Sequence, residues 1–528
     1  MKKYSFVIAA LLLSIFGISL ISCSSSSNTK TFPKGFLWGV STAAEQSEGG
    51  ITNNDWYVWE QMGKTPPVGL ADNFYNLYAQ DFTNAQAMHM NAFRLTFEWS
   101  RIEPHAPSVI GMPLNKGDVD MAEVRHYQEV INSLEAHGLT PVVTLTHYTL
   151  PIWVDDPQDL AANNYTRSTT SLAGWTNTLT AYAFENYAGF MAQQFSTTVT
   201  YLLTENEPMV DVLVGYVLDE YPPGFPINLN LTTTTMPFST SAVDVARNMI
   251  LGHVLAYKAI HAAEPNAMVS IAKNSIFTTP APNVAGSTEA ANAFDHAYNL
   301  TYLNAVTKGV FDKGLTGTTF TETHTDWANT IDFIGVNYYA NDYVIPAPGI
   351  LAPINAIPCD QTLNAYLPGV LTSMGCPYTT ESNGTRVLLN PSETQGFTNM
   401  LVEYTNLYHL PMLITENGSG SGDPIAKTAY IVQNIMAVKN AINHGSDILG
   451  YMYWTMDYDY EWTSGYAQNF GLFTVDDFTR CTVPACGGWS PTTGTDFTRT
   501  AVQPAVDVYS AIAAGNSISP SIIDQYGH

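Results

Sequence analysis

Charged residues are scarce in this chain. They make up 12% of 528 residues, and only 20 are basic against 46 acidic. A formal net charge of −26 argues against nucleic acid or an anionic membrane surface as a partner. No apolar run is long enough for a confident membrane span; the run from Val7 to Leu20 is too short. There is no internal repeat and no linker that would split the chain. A single domain of this length is unusual, but loop-rich α/β barrels reach it. Hydrophobic residues are plentiful at 45% and aromatics at 12%, so the surface must be rich in Thr, Ser, Asn and Gln. Aromatics mixed with neutral polar groups suit sugar binding, because CH faces pack on rings and hydroxyls need amide partners. A large aromatic core has the same composition, and composition alone does not separate the two.

Cysteine is sparse as well, at five. The first belongs to a leader: Lys2-Lys3 is a basic start, the apolar run follows, and Leu20-Ile21-Ser22-Cys23 resembles the bacterial lipobox. Residues 1–22 are therefore expected to be a lipoprotein signal peptide, with an ordinary secretory signal and a stray cysteine as the alternative. Residues 23–31 would be a lipidated Cys23 with a polar tether, and 32–528 the catalytic domain of an exported, membrane-anchored protein. Contact with the membrane would run through Cys23 only. The remaining four, Cys359, Cys376, Cys481 and Cys486, are an even number in an exported chain. Proximity favours Cys359–Cys376 and Cys481–Cys486 as disulfides, with four free thiols as the alternative. Neither pair has metal-like partners nearby, so no metal is expected.

After the tether, strands and helices alternate. Strands are expected at 36–42, 92–99, 141–147, up to Glu207, 268–274, 332–339, 411–416 and 448–457. Helices are expected at 73–90, 120–137 (ended by Gly138), 179–194, 248–263 and 426–444 (ended by Gly445). Eight strands alternating with helices predict a single parallel (β/α)8 TIM barrel with long loops at the C-terminal face of the strands, the longest from Asn341 to Pro391. Two of these strands end alike. Pro411-Met412-Leu413 leads into Ile414-Thr415-Glu416-Asn417-Gly418, and Tyr201 to Leu203 leads into Thr204-Glu205-Asn206-Glu207-Pro208. In each, a buried strand delivers a glutamate just before a chain breaker. Either glutamate alone would pass for a solvated loop residue. Together they suggest a paired acid and nucleophile.

The two stretches resemble the signatures of the family 1 glycoside hydrolases, the β-glucosidase family, and the resemblance runs from Phe32 to about residue 511. It implies Glu416 as nucleophile and Glu207 as acid/base of a retaining exo-β-glycosidase, with the two carboxyls about 5–5.5 Å apart. Carboxyls that close resist being charged together, so one stays protonated; the resemblance gives that part to Glu207. By the same pattern Arg94, in Phe93-Arg94-Leu95, and Tyr339, in Asn337-Tyr338-Tyr339, would hold Glu416 ionised and oriented. A structural ion pair is the plainer reading of Arg94. Asn206 would bond the sugar 2-hydroxyl. Gln46, downstream of Phe36-Leu37-Trp38-Gly39, would take hydroxyls 3 and 4, and His147, in Thr144-Leu145-Thr146-His147, hydroxyl 3. Trp454 would form the floor under the ring, Glu461 would bind hydroxyls 4 and 6, and Trp462 hydroxyl 3.

Three positions depart from the family pattern. Tyr148 and Leu202 stand where tryptophan is usual, and Tyr458-Asp459-Tyr460 replaces Asp-Asn-aromatic before Glu461-Trp462. The carboxylates are untouched, so the expected reaction stands while sugar preference is less defined. Glu461 argues against a phosphosugar, whose charge it would repel. The expected partner is a β-glucoside or oligosaccharide, with β-galactosides and β-fucosides as further candidates, and no cofactor is implied. A catalytically inactive glycan-binding lipoprotein on the same barrel is the alternative from another class, favoured by loss of either glutamate. A transglycosidase would use the same intermediate.

Overall fold

The computed structural model describes residues 30–528 except 196, 235–239, 318–320, 367–368, 382–383, 476–477, 480–489 and 492–496. Cys23, the leader, Cys481 and Cys486 lie outside the described residues.

Eight parallel strands form a closed ring: β1 (Leu37–Ser41), β2 (Ala92–Thr96), β3 (Thr140–Thr146), β4 (Tyr201–Asn206), β5 (Met268–Pro280), β6 (Ile334–Pro346), β7 (Met412–Asn417) and β8 (Ile448–Trp454). β8 pairs with β1 and closes the barrel. The strands read as continuous apolar runs because both faces are covered; β2 and β7 are buried at every position. Ala92, Val142, Leu203, Ala272, Leu413 and Met452 share one apolar cluster and plug the barrel interior, as small barrels require. Two residues further along the same strand faces come Arg94, Thr144 and Thr415. The apolar plug is thus capped by polar groups at the C-terminal end.

The principal helices are α1 (Phe74–Ala87), α2 (Met121–Ala136), α3 (Thr178–Phe195), α4 (Ala242–Ala263), α5 (Ser287–Asp295), α6 (Thr301–Lys308), α7 (Glu393–Tyr408), α8 (Pro424–Asn443) and α9 (Ala505–Gly515). Gly138 and Gly445 follow α2 and α8 with φ of +75° and +97°, left-handed positions that glycine occupies at least cost. α4 begins six residues before the expected start at 248. Ser241 and Asp244 form a capping box there, which satisfies the first free backbone N–H groups. α7 was not expected from the sequence. Its buried Phe397, Met400, Leu401 and Tyr404 have helical spacing, but Thr and Asn between them weaken the local signal. Among the described residues no helix is long and apolar enough to cross a membrane.

Two further corrections concern boundaries. Lys30–Thr31, placed in the tether, form a short antiparallel pairing with Ser517–Ile518, so these two residues belong to the folded part. The expected loop from Asn341 begins as strand: β5 and β6 continue pairing to Pro280 and Val344. Ala356–Pro358 then adds antiparallel to β6. Backbone groups rising above the barrel rim are thereby satisfied by each other. The expected Cys359–Cys376 disulfide is present and follows directly on that edge segment.

Candidate active site

A cleft of about 390 Å³ opens at the C-terminal end of the strands. Gln46, His147, Asn206, Glu207, Tyr339, Glu416, Trp454, Glu461 and Trp462 all border it. Arg94 lies beneath, fully buried. Every residue that the family resemblance placed in the site is therefore in or directly under one cleft.

Local backbone delivers the two glutamates. The register of β4 against β5 slips between Leu203 and Asn206, and that of β7 against β6 slips between Ile414 and Glu416. Such irregularities re-aim side chains at strand ends. Glu207 has φ of +47° and is the N-cap of the helix Pro208–Tyr216. Tyr148 and Trp462 are also left-handed, at +70° and +49°, so three bulky cleft residues hold a conformation that costs roughly 1–3 kcal/mol each. Gly418 explains the Asn-Gly after Glu416: a Cβ there would collide with the Trp454 carbonyl oxygen.

The two carboxyls have unlike surroundings. Glu416 is 4% exposed. It pairs with the Arg94 guanidinium through Oε1 and accepts from the Tyr339 hydroxyl through Oε2 at 2.8 Å. Arg94 also donates to Asn206 Oδ1 at 2.8 Å, Thr144 Oγ1 at 2.9 Å and the Thr415 carbonyl at 3.2 Å, so its guanidinium cannot swing away. Burial pushes the Glu416 carboxyl up to about 7, against the Arg94 charge and with a further push from Glu207. Among the described residues no guanidinium bonds Glu207. Its Oε1 accepts from Asn337 Nδ2 at 2.7 Å and Asn274 Nδ2 at 3.1 Å, and its Oε2 from the Tyr148 hydroxyl at 2.5 Å.

Asn206 links both sides. Its Oδ1 accepts from Arg94 and from Asn337 Nδ2 (3.1 Å). Its Nδ2 therefore donates to His147 Nε2, 3.1 Å away. Burial and the Arg94 charge push the His147 pKa well down, so this ring is a neutral acceptor at Nε2. His147 Nδ1 is buried without a protein partner, as is Gln46 Oε1. Buried polar atoms are nearly always bonded, and these two sit at positions expected to meet sugar hydroxyls. Gln46 is held from behind by Nε2, which donates to the Tyr460 carbonyl at 2.8 Å and Asp459 Oδ2 at 3.4 Å. Trp454 Nε1 donates to Glu461 Oε1 at 3.0 Å. Burial pushes Glu461 up to about 8, with Glu416 adding to the shift.

Sequence reasoning passed over Asn337, Asn274 and the Tyr148 contact. Asn337 and Asn274 stand at the ends of expected strands six and five, the only local signal they carry. Tyr148 showed itself as a departure from a pattern, not as a partner of Glu207. Lys273 was missed entirely: it is fully buried, donates to the Asn274 carbonyl and sits 4.5 Å from the Tyr298 ring centroid.

A closed (β/α)8 ring with two differently cradled carboxyls at its C-terminal mouth defines a barrel hydrolase acting by paired carboxylates. The sequence matches Glycosyl hydrolase family 1 over residues 28–484, and the chain belongs to that family. It is 28% identical to the β-galactosidase of Saccharolobus solfataricus over 490 residues, 85% of this chain and 92% of that protein. It is 27% identical to β-glucosidase 47 of Arabidopsis thaliana over 487 residues, 86% of this chain and 83% of that one. The solved β-glycosidase from Pyrococcus horikoshii has a TM-score of 0.72 at 27% identity, covering 95% of this chain and 99% of that one. The chain is a retaining β-glycosidase.

Proposed function

We propose that this enzyme releases terminal, non-reducing β-D-glucosyl residues, with Glu416 as nucleophile and Glu207 as acid/base. The observation that carries the assignment is the unequal cradle. Arg94 and Tyr339 favour a charged, oriented carboxylate at Glu416, whereas Glu207 is surrounded by neutral donors. Glu416 attacks the anomeric carbon while Glu207 protonates the departing oxygen. Once Glu416 is esterified its charge is gone, and Glu207 takes a proton from the water that releases the sugar from the opposite face. Asn206 keeps a second N–H for the 2-hydroxyl. Gln46 Oε1 and His147 Nδ1 are available to the hydroxyls further round the ring.

The relatives carry both β-galactosidase and β-glucosidase names. An amide and a carboxyl at hydroxyl 4 accept either epimer, so galactosides are expected as slower substrates. Among the described residues lining the cleft none is Lys or Arg, which speaks against 6-phosphosugars independently of the charge on Glu461. The leader and Leu20-Ile21-Ser22-Cys23 support an exported lipoprotein anchored at Cys23. A panel of p-nitrophenyl β-glycosides followed by NMR tests the activity. Glucoside ahead of galactoside, with the β-anomer formed first, is the expected result; preference for a 6-phosphoglycoside or first formation of the α-anomer would refute it.

A further inference from the structure

The glycone clamp accounts for only part of the cleft. Glu207 protonates the oxygen between sugar and leaving group, so the leaving group must lie beyond Glu207, away from Gln46, His147 and Trp454. Three elements meet there. The helix that starts at Pro208 contributes Leu213 and Val214, both half-buried and bordering the cleft. The rising end of β5 contributes Ile276, the last turn of α5 contributes Phe294, and the helical turn that follows it, His296–Leu300, contributes Tyr298. The chain after β6 contributes Pro358 and Leu363.

This wall offers little to a second sugar. Phe294 and Tyr298 stack on each other, with centroids 5.4 Å apart and planes at 15°. Behind Leu213, Phe294 and Tyr298 lies a second cavity bounded by Met209, Leu231, Leu315 and Leu351; among the described residues that line it, Tyr298 alone is polar. Asn274 and Ser275, two of the polar residues on this side, are engaged with the protein. Asn274 Nδ2 donates to Glu207, its Oδ1 accepts from the Tyr298 hydroxyl at 2.8 Å, and Ser275 Oγ pairs with the Tyr404 hydroxyl at 2.9 Å. Carboxylates mark the rim at Glu220 and Asp360, which disfavours an anionic leaving group. The Cys359–Cys376 disulfide closes the segment that follows Pro358 and holds Leu363, so the third side of the wall is tied in place.

We propose that this wall is an apolar leaving-group subsite and that the enzyme acts on β-glucosides of apolar alcohols in preference to oligosaccharides. The inference rests on the reading of Glu207 as proton donor and of the glycone as glucose. Alkyl β-glucosides test it, because their alcohols from butyl to octyl leave equally well and only the buried surface changes. The specificity constant kcat/KM should rise about fourfold for each methylene that becomes buried, so by more than about tenfold from butyl to hexyl, and octyl β-glucoside should exceed cellobiose. Val214→Asn should flatten the series. A flat series in the unmodified enzyme, cellobiose ahead of octyl glucoside, or an unaltered slope in Val214→Asn would overturn the subsite. Failure on every β-glucoside, p-nitrophenyl β-glucoside included, would instead overturn the glucosidase reading on which it rests.

Discussion

Replacing Arg94 with methionine removes a buried cation of similar bulk and leaves Glu416 with Tyr339 as its remaining donor. Breaking a buried pair costs about 3–5 kcal/mol when the other charge stays behind. Glu416 can escape part of that cost by taking up a proton. At 1.36 kcal/mol per pKa unit, about 3 kcal/mol is roughly 2 units. The carboxyl already stands at about 7 and Arg94 is the largest influence lowering it, so removal moves the ionisation upward. At pH 6 the ionised fraction should then fall by about 100-fold, and at pH 9.5 by less than about twofold. The assay follows the pH dependence of kcat/KM with dinitrophenyl β-glucoside as substrate. This leaving group departs without acid help, so the acid limb reports Glu416 in the free enzyme. In the unmodified enzyme that limb should lie near pH 7. In Arg94→Met it should move to higher pH, and activity should recover as pH rises. A loss that is uniform across pH would mean that Arg94 positions Asn206 and the strand ends without holding the charge, and the reasoning would fail.

Other outcomes follow from the same geometry. Tyr148→Phe removes the hydroxyl that bonds Glu207 Oε2; a bond to a charged group is worth about 1.5–3 kcal/mol, so kcat/KM on alkyl glucosides should drop by about tenfold or more. The drop should be much smaller on dinitrophenyl glucoside, and equal losses on both would contradict the placement of Tyr148 beside the acid. Burial raises Glu48 to about 7 and Glu103 and Asp211 to about 8, so from about pH 4.5 upward the folded chain holds more protons than the unfolded one and stability falls as pH rises. Lys273 and Lys427, lowered to about 7 by burial, act oppositely above pH 7. His126 and His253, lowered to about 4 by burial, act oppositely from about pH 4 to 6.5, where Glu60 and Glu403, raised to about 7 by burial, add to the carboxyls and outweigh them. The urea midpoint should therefore be higher at pH 5 than at pH 7, and the reverse order would show that these carboxyls are not held protonated. Cys23→Ala should leave the leader uncleaved or release the protein from membranes; unchanged processing and attachment would end the lipoprotein proposal.

The strand–glutamate–breaker stretches at Glu207 and Glu416 were legible because each is local: a short apolar run, a carboxyl and a turn residue in sequence. The barrel was legible for a related reason, since strands buried on both faces read as apolar runs whatever their partners. The rising ends of β5 and β6 were not, because Ile276 to Pro280 and Ala340 to Val344 become strand only by pairing with each other. α7 hid behind its Thr and Asn residues. Asn337 and Asn274 illustrate the wider limit. An amide at a strand end has no chemical label of its own, and its part is set by what the fold brings to it, here Glu207 and Asn206 for Asn337, and Glu207 and Tyr298 for Asn274. The unequal electrostatics of the two glutamates likewise depend on a guanidinium from β2, more than 100 residues before Glu207 and more than 300 before Glu416.

The division of labour between Glu416 and Glu207 is tested most directly by trapping the covalent intermediate. A 2-deoxy-2-fluoro-β-glucoside with a dinitrophenyl leaving group forms the glycosyl ester but slows its release, because fluorine destabilises the charged transition state and removes the 2-hydroxyl contact. Mass spectrometry of the intact protein followed by peptide mapping then locates the sugar. The account predicts one fluoroglucosyl group per chain, on Glu416. A label on Glu207, or inactivation with no covalent sugar at all, would contradict it.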